Sequence, residues 1–341
     1  MTSTKQPPYG EVHDTDSRIL RHDLTRFRNK LVECTSRNTR LSTDLVTNLL
    51  TGKEKHLRPS LCIIGGYIAA TGRNLGENHT LNEATIRAAV AAELLHLGSL
   101  YHDDVLDEAT TRRGVLTANA RWDNVVAVLG GDLLLAISAR IAAELGSREC
   151  RLTSETLEAM CDGELEELAD ASNADRSIGS YFQAISGKTA KLFATSCQLG
   201  AMQEAADTRL IHVVGEFGYN LGLAFQVIDD VLDLCGSMDI GKPLGQDLKQ
   251  GIYTLPVLLA MEEVPKIKDL LRTTPTATDV ATIRRQICDD SSGISRALSS
   301  AESLIERAVA ALSDFSASVP EIALIVSQIR ALVPLSDVMA R

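Results

Sequence analysis

Asp103-Asp104-Val105-Leu106-Asp107 recurs 126 positions later as Asp229-Asp230-Val231-Leu232-Asp233. Both copies lie in sequence that reads as helix, where positions i and i+4 share a face. Asp103 and Asp107 therefore point the same way with Asp104 beside them, and Asp229, Asp230 and Asp233 do likewise. Three carboxylates on one face repel each other unless a cation sits among them. Carboxylate oxygens in such small sets suit Mg²⁺, which keeps some waters and takes other ligands from a substrate's phosphates. Two such walls facing each other would hold a Mg²⁺–diphosphate cluster. A charge run is ordinarily a solvated face. Here Leu94, Leu95, Leu97 and Leu100 lead into the first motif, and Leu221, Leu223, Phe225, Val227 and Ile228 into the second. Carboxylates closing an apolar helix are costly unless they are paired or hold a metal.

Basic residues stand where an anion pocket would need them. Arg112 and Arg113 follow the first motif, Lys55 and Arg58 precede Pro59, Lys188-Thr189 precedes an apolar run, and Lys242 follows the second motif. Any one alone is more often a surface charge. Together with two acidic walls they call for a polyanionic substrate, with arginine offering a planar fork and lysine a point charge.

The elements that must position these residues are helical. From about Ser17 the apolar pattern has helical period and strand-like alternation is nearly absent. Breaks are expected at residues 53–59, 72–78, 111–114, 146–147, 172–180, 236–251, 273–275 and 291–293. Glu83–Asp107 and Glu216–Asp233 are apolar on most of their circumference, as central helices of a large core are. Leu298, Ala301, Ile305, Ala308 and Leu312 make an ordinary packing face near the C-terminus. The expectation is an all-α, single-domain bundle of long helices over residues 17–341, preceded by a disordered polar tail over residues 1–16.

The chain has 341 residues, 45% hydrophobic and 23% charged, and a net charge of -11, which argues against nucleic acid and anionic membranes as partners. Its seven cysteines are dispersed, odd in number and without a CxxC pair, which fits a reducing cytoplasm. No uninterrupted apolar stretch reaches 18 residues, so no membrane span is expected.

The ordered motifs Lys55-His56-Leu57-Arg58-Pro59, Glu93-Leu94-Leu95-His96, the two acidic copies, Arg112-Arg113-Gly114, Gly131-Asp132, Gly163-Glu164, Lys188-Thr189-Ala190, Gly241-Lys242-Pro243, Gly245-Gln246-Asp247-Leu248 and Thr254-Leu255-Pro256 give the chain a specific resemblance. It resembles the trans-isoprenyl diphosphate synthases, the polyprenyl synthetase family. That resemblance implies helices around a deep central cavity, a usual homodimer with a heteromeric partner as the alternative, and condensation of isopentenyl diphosphate with an allylic diphosphate. It implies that Asp103, Asp104, Asp107 and Asp229, with Asp230 and Asp233, hold Mg²⁺. Arg112, Lys188 and Lys242 would grip the allylic diphosphate. Lys55, Arg58, His96 and Arg113 would bind isopentenyl diphosphate, and Thr189 and Gln226 would line the reacting centre.

Three departures from the family pattern stand out. Lys53-Glu54 replace two glycines, His56 replaces an arginine, and Ile252 stands where many members carry lysine, with Lys249 a candidate substitute. Loss of the arginine at position 56 is expected to weaken isopentenyl diphosphate binding or make it pH-dependent. Below Asp103, the helix face carries Ser99, Leu95 and Ala92, with Gly98 beside them. No aromatic floor is present, so a long product of hexaprenyl length or more is expected. Leu95, or Phe182 in the Tyr181–Ile185 segment, could set a deeper stop, which keeps geranylgeranyl diphosphate open as a product. A terpene cyclase on the same scaffold, a non-catalytic subunit and a plain helical interaction protein are the other readings.

Overall fold

The computed structural model describes residues 17–36, 40–50, 56–71, 80–112, 114–235, 244–273, 275–313 and 327. The expected tail over residues 1–16 lies outside the described residues. The described chain is all-α apart from one short hairpin. In order come α1 (Ser17–Thr35), α2 (Arg40–Leu50), α3 (Leu57–Thr71) and α4 (Glu83–Leu106), then β1 (Thr111–Arg112) and β2 (Val115–Leu116). They are followed by α5 (Ala118–Arg121), α6 (Asn124–Leu145), α7 (Ser147–Ala169), α8 (Ile178–Ile185), a π turn (Ser186–Ala190), α9 (Lys191–Gln203) and α10 (Thr208–Cys235). The remaining helices are α11 (Gln246–Gln250), α12 (Leu255–Glu263), α13 (Pro265–Leu271), α14 (Ala277–Asp289) and α15 (Gly293–Ala311).

The two helices that end in the acidic motifs are the central ones, as their apolar circumference requires. α4 is buried almost continuously from Thr85 to Tyr101, and α10 is buried on most turns from Ile211 to Leu234. The start of α4 is fixed by Asn82, whose side chain accepts from the Thr85 N–H at 3.0 Å. One core packs α3, α9 and α10 with the C-terminal helices, and a second packs α1, α4 and α6. Each fully hidden Ile or Leu in them contributes about 2 kcal/mol. The C-terminal face expected from Leu298 to Leu312 is buried in the first core.

Two helix crossings depend on glycine. Gly65 of α3 and Gly200 of α9 face each other's helix backbones, and a Cβ on either would overlap the carbonyl oxygen of Cys197 or Cys62. Gly98 of α4 and Gly131 of α6 make the second crossing, where an added Cβ would lie 3.2 Å and 3.0 Å from the opposite glycine's carbonyl oxygen.

Three details depart from the sequence expectation. α10 begins at Thr208, after a break at Ala205, whose φ is +55°, where no break was expected. The segment expected to be a loop over residues 236–251 contains α11. α6 is long and apolar enough to cross a membrane by length and composition, although Asp132 interrupts its apolar run. Under half of that helix's apolar window is buried, and Val125, Val128 and Leu129 form an exposed apolar strip.

The α3–α9 crossing gives a direct test. Gly200→Ala is expected to destabilise the fold by about 3 kcal/mol, because backbone rather than a flexible side chain opposes the new methyl. Chemical denaturation would measure it, and a midpoint equal to that of the unaltered chain would contradict the crossing.

Candidate active site

The ends of α4 and α10 come together around the π turn. Lys188 on that turn places its Nζ 2.8 Å from Glu164 Oε2 and 2.7 Å from Glu167 Oε2, both on α7. The turn widens where a tight approach is needed. A Cβ at Gly163 would lie within 2.6 Å of the Ala184 carbonyl oxygen, so α7 and the π turn touch backbone to backbone. A π insertion inside helical sequence is a frequent mark of a functional site. Here it turns Lys188 and Thr189 into the space between the acidic ends.

The first acidic end divides by helical geometry. Residues i and i+1 are about 100° apart on a helix, so Asp104 turns inward. It is 1% exposed, and Arg112 Nε donates to its Oδ1 at 2.7 Å. Arg112 is positioned by the hairpin, in which it pairs with Val115. Asp103 is half-buried and Asp107 is exposed. Burial pushes the Asp103 carboxyl up to about 7, with the Lys188 charge pulling against it and Glu164 adding to it.

The second end divides the same way. Asp229 is exposed, whereas Asp230 is buried and fully engaged. Tyr181 donates to its Oδ2 at 2.6 Å, and Gln226 Nε2 donates to its Oδ1 at 2.9 Å. Thr189 Oγ1 in turn donates to Gln226 Oε1 at 2.8 Å. Burial raises Asp230 to about 7 despite those two hydrogen bonds. Asp233 caps the start of α11, accepting from the N–H groups of Gln246 and Asp247 at 3.2 Å and 3.4 Å. Burial raises Asp233, and it raises Asp247 well above the carboxylate range, with Asp233, Asp230 and Asp229 adding to the latter. At the other end of α11, Gln250 Nε2 donates to Asp107 Oδ1 at 3.3 Å. One short helix thus links the two acidic ends, which lie far apart in sequence.

Lys188 is the cation among these acids. Burial works against its ammonium, but Glu167 and Glu164 outweigh that and raise it. The carboxylates outnumber the described cations around them. Among the described residues no three carboxylate, imidazole or thiolate groups close around one point. A divalent ion there would draw on Asp103, Asp107, Asp229 and Asp233 and complete its shell from phosphate and water. Asp104 and Asp230, expected beside them as ligands, are instead set back on protein partners.

Arg58 lies on α3 with its guanidinium carbon 4.9 Å above the Phe193 ring and 5.8 Å from the Phe225 ring, next to Gln226. Its stem and face pack on these aromatics, which hold it in place. His96 is buried on α4. Lys55, Arg113 and Lys242, with Lys53 and Glu54, lie outside the described residues. The sequence reading passed over Glu167, Tyr181 and Gln250, and gave no role to Glu164 and Asp247. The last two stand in the quoted motifs Gly163-Glu164 and Gly245-Gln246-Asp247, so the signal was present. Glu167 follows Glu164 at i+3 on the same helix face.

The expected chain floor needs one correction. Gly98 serves the crossing with α6: an added Cβ would meet Leu135 at 2.8 Å and Gly131 O at 3.2 Å, so its smallness is required by packing. Ser99 is half-buried, its Oγ returned to His96 O at 2.8 Å. Leu95 lies deeper, packed with Met160 of α7 and Leu192 of α9 and rimmed by Leu135 and Leu157. Phe182 packs on the other core and edge-on to Tyr181 at 5.2 Å, apart from the Leu95 group. A separate cleft of about 510 Å³, lined by Lys30, Arg87, Arg140 and Glu144, sits at the opposite end of α4, and ion pairs occupy its charges.

Comparison with known proteins places this arrangement. The Polyprenyl synthetase family model matches residues 39–289. Heptaprenyl diphosphate synthase component 2 of Bacillus subtilis is 34% identical over 256 residues, 74% of this chain and 71% of that protein. Nonaprenyl diphosphate synthase of Mycobacterium tuberculosis is 35% identical over 221 residues, 64% of each chain. Among solved structures, a polyprenyl synthase from Caulobacter crescentus CB15, complexed with calcium and isoprenyl diphosphate, superposes with a TM-score of 0.85 at 28% identity, covering 96% of this chain and 99% of that one. With two acidic helix ends closed on a lysine-bearing π turn and a family match over most of its length, the chain belongs to the polyprenyl synthetase family of prenyltransferases.

Proposed function

We propose that this chain is a Mg²⁺-dependent trans-polyprenyl diphosphate synthase of the cytoplasm. It condenses isopentenyl diphosphate with an allylic diphosphate primer and gives a product of hexaprenyl length or longer. The observation that carries this reading is the gathering of both acidic helix ends at the π turn, where Asp103 feels the Lys188 charge and Thr189 bonds Gln226, itself bonded to Asp230, with Gln250 linking Asp107 to the segment capped by Asp233. The long-chain relatives and the lack of an aromatic at Ser99, Leu95 and Ala92, on the α4 face below Asp103, support the length.

The residues divide the work. Asp103, Asp107, Asp229 and Asp233 would hold Mg²⁺, which neutralises charge growing on the departing diphosphate when bound. Lys188, fixed between two glutamates, meets the same diphosphate. Tyr181 and Asp230 fix the Gln226 amide so that its Oε1 points to Thr189 rather than away. The two oxygens, Thr189 Oγ1 and Gln226 Oε1, then stand as fixed dipoles beside the allylic cation as its C–O bond breaks. Arg58, braced on Phe193 and Phe225, and His96 hold isopentenyl diphosphate for attack by its double bond, and the released diphosphate takes the proton. Apolar walls at Leu95, Leu192 and Phe193 keep water from the cation.

We assign the exposed strip of Val125, Val128 and Leu129 on α6 to a homodimer contact. A relative that is one component of a two-part enzyme makes a different second subunit the alternative occupant. Leu129→Arg is expected to convert dimer to monomer in light scattering. A chain that is monomeric without the substitution points to the second subunit.

The product assay tests the main reading. Labelled isopentenyl diphosphate with farnesyl or geranylgeranyl diphosphate and Mg²⁺ should give labelled polyprenols after dephosphorylation. Hydrocarbon or alcohol from the allylic substrate alone would indicate a cyclase, and a product stopped at geranylgeranyl would refute the long chain. Ser99→Phe is expected to shorten the product, and unaltered length would remove the open-floor argument.

The metal has its own test. A carboxyl raised in the folded chain binds its proton more tightly there than in the unfolded chain. Asp103, raised to about 7, therefore supports folding below its unfolded value, and that support is lost as pH rises from about 4 through about 7. Mg²⁺ binds the deprotonated form. It is expected to raise the thermal midpoint more at about pH 8 than at about pH 5. An equal rise at both would separate the metal from this carboxylate.

A further inference from the structure

His56 stands where the family pattern has an arginine, and the structure shows what its ring faces. Arg28 of α1 donates from Nε to His56 Nε2 at 3.4 Å. Glu93 of α4 lies behind the ring, its Oε1 3.6 Å from Nδ1. Phe27 meets the ring edge-on at 5.4 Å and sets its plane. Nε2 is the nitrogen that accepts from Arg28, which leaves Nδ1 on the side of the Glu93 carboxylate. His56 also holds a left-handed backbone, φ +47°, which costs a residue with a side chain about 1 kcal/mol and persists only where its surroundings fix it. The imidazole is thus directed at Arg28 and Glu93.

Arg28 differs from its neighbours on α1. Arg26 is spent on Asp23 and Glu83, and Lys30 on Glu33 and Glu83. The Arg28 side chain is exposed, only its Nε is engaged, and among the described residues its two Nη atoms have no partner. Its contact residue stands two positions before Arg58, and Glu93 stands one helical turn before His96. A guanidinium with two free, coplanar donors is the group that takes a diphosphate oxygen pair.

We infer that Arg28 is a substrate-binding residue for isopentenyl diphosphate: it brings from α1 the guanidinium that position 56 lacks, and Glu93 and His56 position it. This rests on the synthase reading above. Glu93 orients His56 through Nδ1, His56 holds Arg28 through Nε2, and the outer edge of the guanidinium meets the diphosphate.

The test is steady-state kinetics of the full chain with the two substrates varied separately. Arg28→Ala is expected to raise the KM for isopentenyl diphosphate about tenfold or more, the loss of one charge-assisted contact, with the KM for the allylic substrate and the thermal midpoint unchanged. Arg28→Lys should recover part of the loss. The double variant Arg28→Ala/His56→Arg should recover most of it, because it returns the guanidinium to the loop; a purely structural Arg28 would not be rescued this way. His56→Phe should shift the same constant in the same direction by less. An unchanged KM for isopentenyl diphosphate in Arg28→Ala, or an equal rise for both substrates, overturns the inference and leaves the synthase reading standing. No incorporation by the unaltered chain overturns both.

Discussion

The structure turns on an excess of negative charge held in apolar surroundings. Two buried helices each end in aspartates, and α7 and α11 add Glu164, Glu167 and Asp247 to the same space. Lys188 stands among them. Burial and mutual repulsion push Asp103 and Asp230 up to about 7 and raise Asp233 and Asp247 with them. A fold that builds such a site carries a cost that protons or bound cations relieve. On the proposed reading, a metal–diphosphate complex would bring that positive charge while supplying the oxygens that complete the metal's shell.

Much of the rest holds that space in shape. The glycine crossings let α3 approach α9 and α4 approach α6 at backbone distance, which locks the axes of the central helices. The π turn places Lys188 and Thr189 between the walls, and Gly163 lets α7 close on it. Asp104 and Asp230 are the anchors rather than the working face. Each ties its wall to a second element, Asp104 to the hairpin through Arg112 and Asp230 to α8 through Tyr181. A doubled aspartate in each motif thus separates into one residue left more open and one that holds the helix end.

The sequence disclosed this site unevenly. The acidic copies, their apolar approaches and the Lys188-Thr189 pair were plain because they are local patterns with a physical meaning at short range. The central helices were plain for the same reason, since a helix apolar all round must be buried. What sequence could not assign was direction. Periodicity alone put Asp104 and Asp230 with their neighbours, and the contacts that turn them inward come from residues on other elements. Gly98 was read as open space, because a missing side chain in a sequence does not say whether a cavity or a neighbouring backbone fills its place. α11 was hidden in a segment whose composition reads as loop, and its start depends on Asp233, thirteen positions earlier than Gln246.

On the proposed reading, the site must tell two diphosphates apart although their charged groups are the same. The difference lies in what meets them. One side presents carboxylates, which repel a bare diphosphate and accept it only with divalent ions. The other presents Arg58 braced on two aromatic rings, His96, and Arg28 held by a Glu93–His56 relay. That side needs no metal and would lose affinity for a diphosphate already neutralised by one. Opposite chemistry on the two walls sorts identical headgroups, and it sets each hydrocarbon tail in its own direction. The allylic chain is left over the apolar layer of Leu95, Met160 and Leu192, where growth has room. Substrate order is then a consequence of electrostatics, and product length a consequence of packing below it.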